Sequence, residues 1–240
     1  MHHADEGIIT GMTALSIIIP ALDESENIAA CLASLAPLRA RGAQIIVVDG
    51  GSRDDTVQRA LPLADVVISA PRGRAGQLNA GAGQATGTTL LFLHADTRLP
   101  DHADTLIENG VRDGRRAWGR FDVRIAGSHP LLPVIAWFMN QRSRLTGIAT
   151  GDQGMFATRA AFDRAGGFPA IQLMEDIALC KTLRKQGPPL CLRARITASG
   201  RRWEQRGAFT TMVLMWRLRL SYFFGADPDR LAQQYYGKKP

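Results

Sequence analysis

The apolar positions of the first hundred residues come in short runs separated by helical spacing. Leu15-Ser16-Ile17-Ile18-Ile19-Pro20 is a β-branched run closed by proline and reads as a first strand. Gln44-Ile45-Ile46-Val47-Val48 and Asp65-Val66-Val67-Ile68-Ser69 read as a second and a third. Leu90-Leu91-Phe92-Leu93, preceded by Thr88 and Thr89, reads as a fourth strand, buried on both faces as in a parallel sheet. Between these runs Ile28, Cys31, Leu32 and Leu35 recur at helical spacing behind the cap candidates Asp23 to Asn27. A second helix is expected to be capped near Asp54, and an Ala/Gly-rich helix to cover 77–84. Strands alternating with helices at this pitch predict βαβ units and a parallel sheet.

Beyond Pro100 the pattern changes. Trp118 to Ile125 alternates polar and apolar residues and predicts a half-solvated strand. An apolar stretch around Pro133 gives way to a polar one from Asn140 to Arg144. A short strand is expected at Met155-Phe156-Ala157, a turn at Gly166-Gly167-Phe168-Pro169, a helix over 177–186 and a strand over 190–196. Residues 210–224 mix Met, Trp and other aromatics with Arg217 and Arg219. The expected division is an N-terminal extension (1–12), a main domain (13–200) whose nucleotide-type half (13–100) precedes an acceptor half (101–200), and a basic helical segment (201–240).

The chain has 240 residues, of which 45% are hydrophobic and 21% charged, as in a soluble globular protein. No run approaches the ~18 apolar residues of a spanning helix, and residues 1–12 hold no apolar signal core. Three cysteines without a CxxC pair, Cys31, Cys180 and Cys191, predict a reducing, cytoplasmic setting rather than disulfides or zinc. The net charge of +7 is uneven: 181–240 holds 13 Lys or Arg against 3 Asp or Glu. Such an excess suits an anionic partner or a solvated basic face.

The candidate chemistry lies at strand ends. Pro20-Ala21-Leu22-Asp23-Glu24, Asp49-Gly50-Gly51-Ser52, Arg72-Gly73-Arg74 and His94-Ala95-Asp96 all follow predicted strands, so a parallel sheet brings them to one edge. Together they offer an acid for a base or ribose, glycines for close approach, guanidinium groups for phosphate and a carboxylate for a cation. Asp96 alone is equally a cap for the helix expected near Pro100. No GxGxxG or GxxxxGK[ST] follows the first strand, which argues against dinucleotide-dependent dehydrogenases and P-loop enzymes.

These residues also carry a resemblance. Ser16 to Pro20 with Asp23-Glu24, Val47 to Ser52 with Asp55-Thr56, Arg74 and Asn79, His94-Ala95-Asp96 in place of a DXD motif, and Met174-Glu175-Asp176 resemble, in order, a family 2 glycosyltransferase of GT-A fold. Trp118 to Asp122, Thr146 to Gln153 and Ser199 to Glu204 resemble the subgroup found with radical-SAM and selenodomain proteins and associated with arsenosugar biosynthesis. The resemblance implies an α/β, Rossmann-like, mostly parallel sheet flanked by helices, with a C-terminal half that binds the acceptor. It implies that Pro20, Leu22, Glu24, Asp49, Gly51, Arg74 and Asn79 bind the nucleotide. Asp96, with His94 in the place of the first DXD acid, would hold Mg²⁺ or Mn²⁺, and Asp176 would be the general base.

Breaking an anomeric carbon–diphosphate bond builds negative charge on the leaving oxygen, which a cation and an arginine stabilise. The attacking hydroxyl needs a carboxylate on the opposite face. Neighbours on a helix diverge by about 100°, so one of Glu175 and Asp176 faces the acceptor while the other caps or pairs. One base and no second nucleophile imply a single displacement with inversion. Asp152, Gln153, Glu175, Arg202 and Trp203 are the acceptor candidates; a polar turn at 151–154, a solvated Arg202 and a core Trp203 are the plain alternatives. Met212, Met215, Trp216, Leu218, Tyr222 and Phe223 suit core or dimer packing. Beside Arg206, Arg217 and Arg219 they also suit a basic amphipathic helix on the inner membrane face. The expected reaction moves a sugar from a nucleotide-diphosphate donor, a UDP-sugar foremost, to a hydroxyl of a small molecule or lipid. The rivals are a nucleotidyltransferase of related fold and a non-catalytic module for anionic lipid or nucleic acid. Against nucleic acid, the aromatics are not interleaved with the basic residues.

Overall fold

The structure, a computed structural model, describes residues 15–237, the side chains of Arg202 and Arg206 excepted. The first half folds as its pattern predicts: β1 (Leu15–Ala21), α1 (Ile28–Ala40), β2 (Gln44–Asp49), α2 (Thr56–Ala60), β3 (Val66–Ser69), α3 (Arg74–Gln84) and β4 (Thr89–Phe92). The four strands pair in parallel in the order β3-β2-β1-β4. Successive residues point to opposite faces, and here both faces are apolar. Ile17, Ile19, Ile45, Val47 and Leu91 meet α1, while Ile18, Ile46, Val48, Leu90 and Phe92 meet α3. Helix α3 sits close to the sheet because Gly81 has no side chain; a Cβ there would stand 2.4 Å from Ile18 Cγ2. It also begins at Arg74, three residues ahead of the expected start, which takes that arginine into its first turn.

The second half adds β5 (Thr97–Arg98), α4 (Ala103–Val111), β6 (Trp118–Ala126), α5 (Leu132–Thr146), a 3-10 turn (Gly151–Gln153), β7 (Met155–Thr158), α6 (Arg159–Ala165), α7 (Glu175–Arg184) and β8 (Leu190–Ser199). Three helices follow: α8 (Arg201–Arg206), α9 (Ala208–Phe223) and α10 (Pro228–Tyr236). The sheet continues as β4-β7-β6-β8-β5, with β7 antiparallel to β4 and β6, and β8 parallel to β6. Strand β5 closes the far edge against β8, yet it starts five residues after Phe92 of β4. Five residues reach at most roughly 18 Å, so the mixed, parallel-dominated sheet curls until its β5 edge comes back towards β4.

Two sequence expectations change here. The apolar stretch around Pro133 and the polar one after Asn140 form a single helix, α5, with its proline in the first turn where a missing N–H costs nothing. Strand β6 is half-solvated only at its end, where Arg124 and Ala126 are exposed; Arg120 and Asp122 are 1% and 7% exposed. They pair with each other, Arg144 Nη2 adds a 2.7 Å contact to Asp122, and Arg120 donates to the carbonyl of Asn140 at 3.2 Å. Charges that neutralise one another inside the protein produce the same polar–apolar alternation as charges in water. The expected extension, 1–12, lies outside the described residues. Among the described residues no helix is long and apolar enough to cross a membrane, and Cys31, Cys180 and Cys191 are free thiols.

Candidate active site

The ends of β1 and β2 are knitted together. Ser52 Oγ accepts from the Asp23 amide at 2.9 Å, Thr56 Oγ1 from the Glu24 amide at 2.8 Å, and Asp54 from the Ser25 amide at 3.0 Å. The Thr56 hydroxyl and Ser25 hold the Asp54 carboxyl well below the usual range. Asp23 adopts φ 52°, a left-handed conformation uncommon outside glycine, and accepts from the Arg53 amide at 2.8 Å. Asp49 is buried and closes its own turn, accepting from the amides of Gly51 at 2.9 Å and Ser52 and from the Ser52 hydroxyl. Pro20, Leu22 and Glu24 form the facing loop, with Glu24 accepting from Asn27 Nδ2 at 2.7 Å. Arg201 of α8 reaches back to within 3.7 Å of Glu24 and 3.5 Å of Glu26.

Across the sheet edge, Arg74, His94, Asp152, Glu175 and Asp176 line one small cavity of about 60 Å³, together with Tyr235 and Tyr236 of α10. Glu175 and Asp176 open α7 behind Met174, whose φ of 70° strains a buried non-glycine residue at the mouth of the site. The two acids diverge as helical neighbours must. Glu175, 4% exposed, lies 3.4 Å from Arg74 Nε. Asp176 accepts from the Gly151 amide at 3.0 Å and from the Ile177 amide at 2.7 Å. Burial pushes Glu175 up to about 7, Asp176 adds to the rise, and Arg74 opposes it. Arg74 itself is pulled above its ordinary value, because Glu175, Asp176 and Asp152 outweigh the cost of its burial. His94 turns Nδ1 to Asp152 at 3.3 Å and packs Nε2 on Gly151, where a Cβ would lie 2.3 Å from that nitrogen. Only glycine fits there.

The model of glycosyl transferase family 2 matches residues 16–166, more than half of the chain. The chain belongs to that family. A PGL/p-HBAD biosynthesis glycosyltransferase of Mycobacterium bovis (strain BCG / Pasteur 1173P2) is 40% identical over 98 residues, 38% of each chain. The poly-beta-1,6-N-acetyl-D-glucosamine synthase of Staphylococcus aureus (strain COL) is 24% identical over 73% of this chain and 47% of its own. This chain therefore spans less than half the length of those curated relatives. A mannosyltransferase from Pyrobaculum calidifontis, solved with GDP-Man and Mn²⁺, superposes with a TM-score of 0.62 at 20% identity, covering 88% of this chain and 62% of that one. At that identity the likeness is one of fold: the sheet described above is the GT-A sheet.

For this family 2 chain the donor set limits how a cation would be held. Among the described residues no group of three or more His, Cys, Asp or Glu side chains gathers to hold a metal ion. Asp96 follows β4 as expected but does not cap α4, whose N-cap position is His102; its carboxylate takes a long 3.5 Å contact from the Thr97 hydroxyl. A Mg²⁺ or Mn²⁺ ion that uses one or two carboxylates and completes its shell with phosphate oxygens and water fits such a site. A cage of protein ligands alone does not. His94 Nδ1 is engaged by Asp152, while its Nε2 is buried with no hydrogen-bond partner among the described residues.

Three further expectations meet structural duties. The side-chain amide of Asn79 spans the backbone of Phe168, donating to its carbonyl at 2.8 Å and accepting from its amide at 2.9 Å; it braces the 166–169 turn. Gln153 is fully buried, donating to Ser143 Oγ at 3.0 Å and accepting from the Thr150 amide at 3.3 Å. It fixes the 3-10 turn from beneath and is closed off from any acceptor. Trp203 is half-buried on α8 and lines a second cavity, described below, whereas the Arg202 side chain lies outside the described residues. Arg142 and Arg219 were not among the expected site residues, and both turn inward beside Asp176. Arg219 carried a faint signal as one of two arginines in an otherwise apolar stretch; Arg142, in a polar run, carried none.

Proposed function

We propose that the chain transfers a sugar from a nucleotide-diphosphate donor to an acceptor hydroxyl by a single, inverting displacement with Asp176 as base. The observation that carries the reading is the convergence of Arg74, Glu175 and Asp176 on one cavity at the sheet edge, though a hundred residues separate the first from the others. The facing loops of Pro20, Leu22 and Glu24 and of Asp49 and Gly51 cradle base and ribose. Arg74, aimed by Glu175, meets the diphosphate. Held by Asp96 and the diphosphate oxygens, Mg²⁺ or Mn²⁺ would supply charge neutralisation for the leaving group. Asp176, oriented by the Gly151 amide, takes the proton of the acceptor hydroxyl as its oxygen bonds to the anomeric carbon and the carbon–diphosphate bond breaks. The resemblance of Trp118 to Asp122 and Ser199 to Glu204 to the radical-SAM-associated subgroup supports arsenosugar or other small-glycoside biosynthesis. UDP-, GDP-, TDP- and CDP-sugars, each offered with Mn²⁺ and with chelator, test the reading by thermal shift. Stabilisation by one donor, lost with chelator, is expected; indifference to all of them ends it.

We further infer a peripheral membrane contact through α5 and α9. Trp137 and Phe138 of α5 and Trp216, Leu220 and Phe223 of α9 are each at least half exposed, with Arg217 on the same helix. Apolar rings beside arginines suit the interface of an anionic bilayer. Salt-sensitive cosedimentation with anionic vesicles is expected, and no binding at low salt overturns the inference.

A further inference from the structure

Beside the candidate base, between α5 and α9, lies a cavity of about 260 Å³. Its lining is apolar and adaptable, with Phe138, Met139, Met212, Met215 and Trp216. Into this lining the fold buries two arginines. Nε and Nη2 of Arg142 and Nε of Arg219 are shielded from solvent with no hydrogen-bond partner among the described residues. Burial and the neighbouring Arg219 together pull Arg142 down to about 10, with Asp176 opposing them. Arg219 is drawn down by its own burial, with Asp176 and Asp152 pulling the other way. Two cations buried side by side with unsatisfied nitrogens are costly. A neutral acceptor would satisfy the nitrogens but leave the doubled charge; an anion relieves both, and guanidinium forks match phosphate and carboxylate oxygens.

The position says which substrate would carry the anion. Helices α5, α8 and α9 and Asp152 build the cavity, and no residue of the β1–β4 strand-end loops lines it. Asp152, Met215 and Arg219 are shared with the cavity of Arg74 and Asp176. A molecule seated between α5 and α9 thus approaches Asp176 from the helix side rather than from the β1–β4 strand-end loops. The roomier cavity elsewhere, about 290 Å³ beside Leu15, Thr89 and the Arg41–Asp104 pair, lies at the opposite, amino end of β1 and β4 and has no route to the acids.

We propose that Arg142 and Arg219 hold a phosphate or carboxylate of the acceptor, whose apolar body fills the cavity between α5 and α9. The proposal rests on the transferase reading for the word acceptor, but the anion site stands on its own measurement. Trp203 and Trp216 line the cavity, so tryptophan fluorescence reports its occupancy. Octyl phosphate below its micelle concentration, inorganic phosphate and octanol are titrated into the full chain, alone and with UDP or GDP and Mn²⁺ present. Octyl phosphate is expected to bind at least tenfold more tightly than octanol and than inorganic phosphate. Arg142→Gln and Arg219→Gln are each expected to lose about tenfold of that affinity. Equal affinity for octyl phosphate and octanol in the unaltered protein, which needs no variant to fold, overturns the proposal. So does one-for-one displacement by the nucleotide, which would make this the donor's diphosphate site. Inorganic phosphate binding as tightly as octyl phosphate would leave the anion clasp and remove the apolar acceptor. Failure of every nucleotide sugar to bind, with the octyl phosphate preference intact, would instead overturn the transferase reading alone.

Discussion

The two halves of the molecule treat their polar groups in opposite ways. In the half built on β1 to β4, strand-end carboxylates are answered by their own loops: Asp49 by Gly51 and Ser52, Asp54 by Ser25 and Thr56, Asp23 by Arg53. These loop carboxylates are satisfied without a ligand, whereas His94 Nε2, just past β4, is buried with no hydrogen-bond partner among the described residues. In the half built on α5, α7 and α9, charges are buried. Arg120 and Asp122 compensate each other, Glu175 is pushed towards neutrality, and Arg142 and Arg219 keep unpartnered nitrogens. The first arrangement is a finished cradle. The second holds charge at a cost that a substrate can relieve, so binding energy is available where bond-breaking has to occur.

The strongest way to break this contrast is Asp176→Asn. If the second half does the chemistry, kcat falls by roughly 10²–10⁴, while nucleotide affinity stays within about twofold. Initial rates and calorimetry check both, and unchanged turnover removes the base. Next comes Asp122→Asn, which leaves Arg120 buried with half its partner. A loss of about 3–5 kcal/mol is expected in urea unfolding, and a loss under about 1 kcal/mol would mean that the pair behaves like a surface bridge.

The third test uses pH. Glu175 keeps its proton to about 7 in the folded chain against an ordinary 4.5, so the native state binds more protons than the unfolded one between those values. Its contribution to stability is complete below about pH 4.5, falls as pH rises, and is lost above about 7, a change of about 3 kcal/mol. Relative to the unaltered protein, Glu175→Gln is expected to gain stability from pH 5 to pH 8 in thermal melts. A difference that stays flat would show that Arg74 keeps the carboxylate ionised. The smallest effect sharpens the first half: Asp96→Ala should weaken UDP or GDP binding about tenfold with Mn²⁺, or about 1.4 kcal/mol, and not at all with chelator.

How much of this was legible follows from the range over which each signal acts. The parallel half was readable because its strands are apolar on both faces and their spacing is local. The start of α3 at Arg74 lies three residues before the expected one, and no helix is expected across Leu132–Thr146, because Gly73 and Pro133 read as breaks. Asn79 and Gln153, polar residues beside motifs, read in the sequence as ligand contacts. Their partners, Phe168 and Ser143, lie 89 and 10 residues away, and no local pattern distinguishes a brace from a binder. Helix α10 falls within the expected helical segment 201–240, but nothing in that segment's pattern points to Tyr235 and Tyr236 lying over the site.

By itself the chain's order of residues determined the α/β architecture and the sheet edge where the motifs gather, because hydrophobic periodicity and turn chemistry are written in near neighbours; family 2 was legible only through the resemblance of its motifs. Only the tertiary structure decided which charges lie in water and which lie inside. Burial is a property of what other segments cover, so Arg98 and Arg142 look alike as letters and differ only once the helices pack.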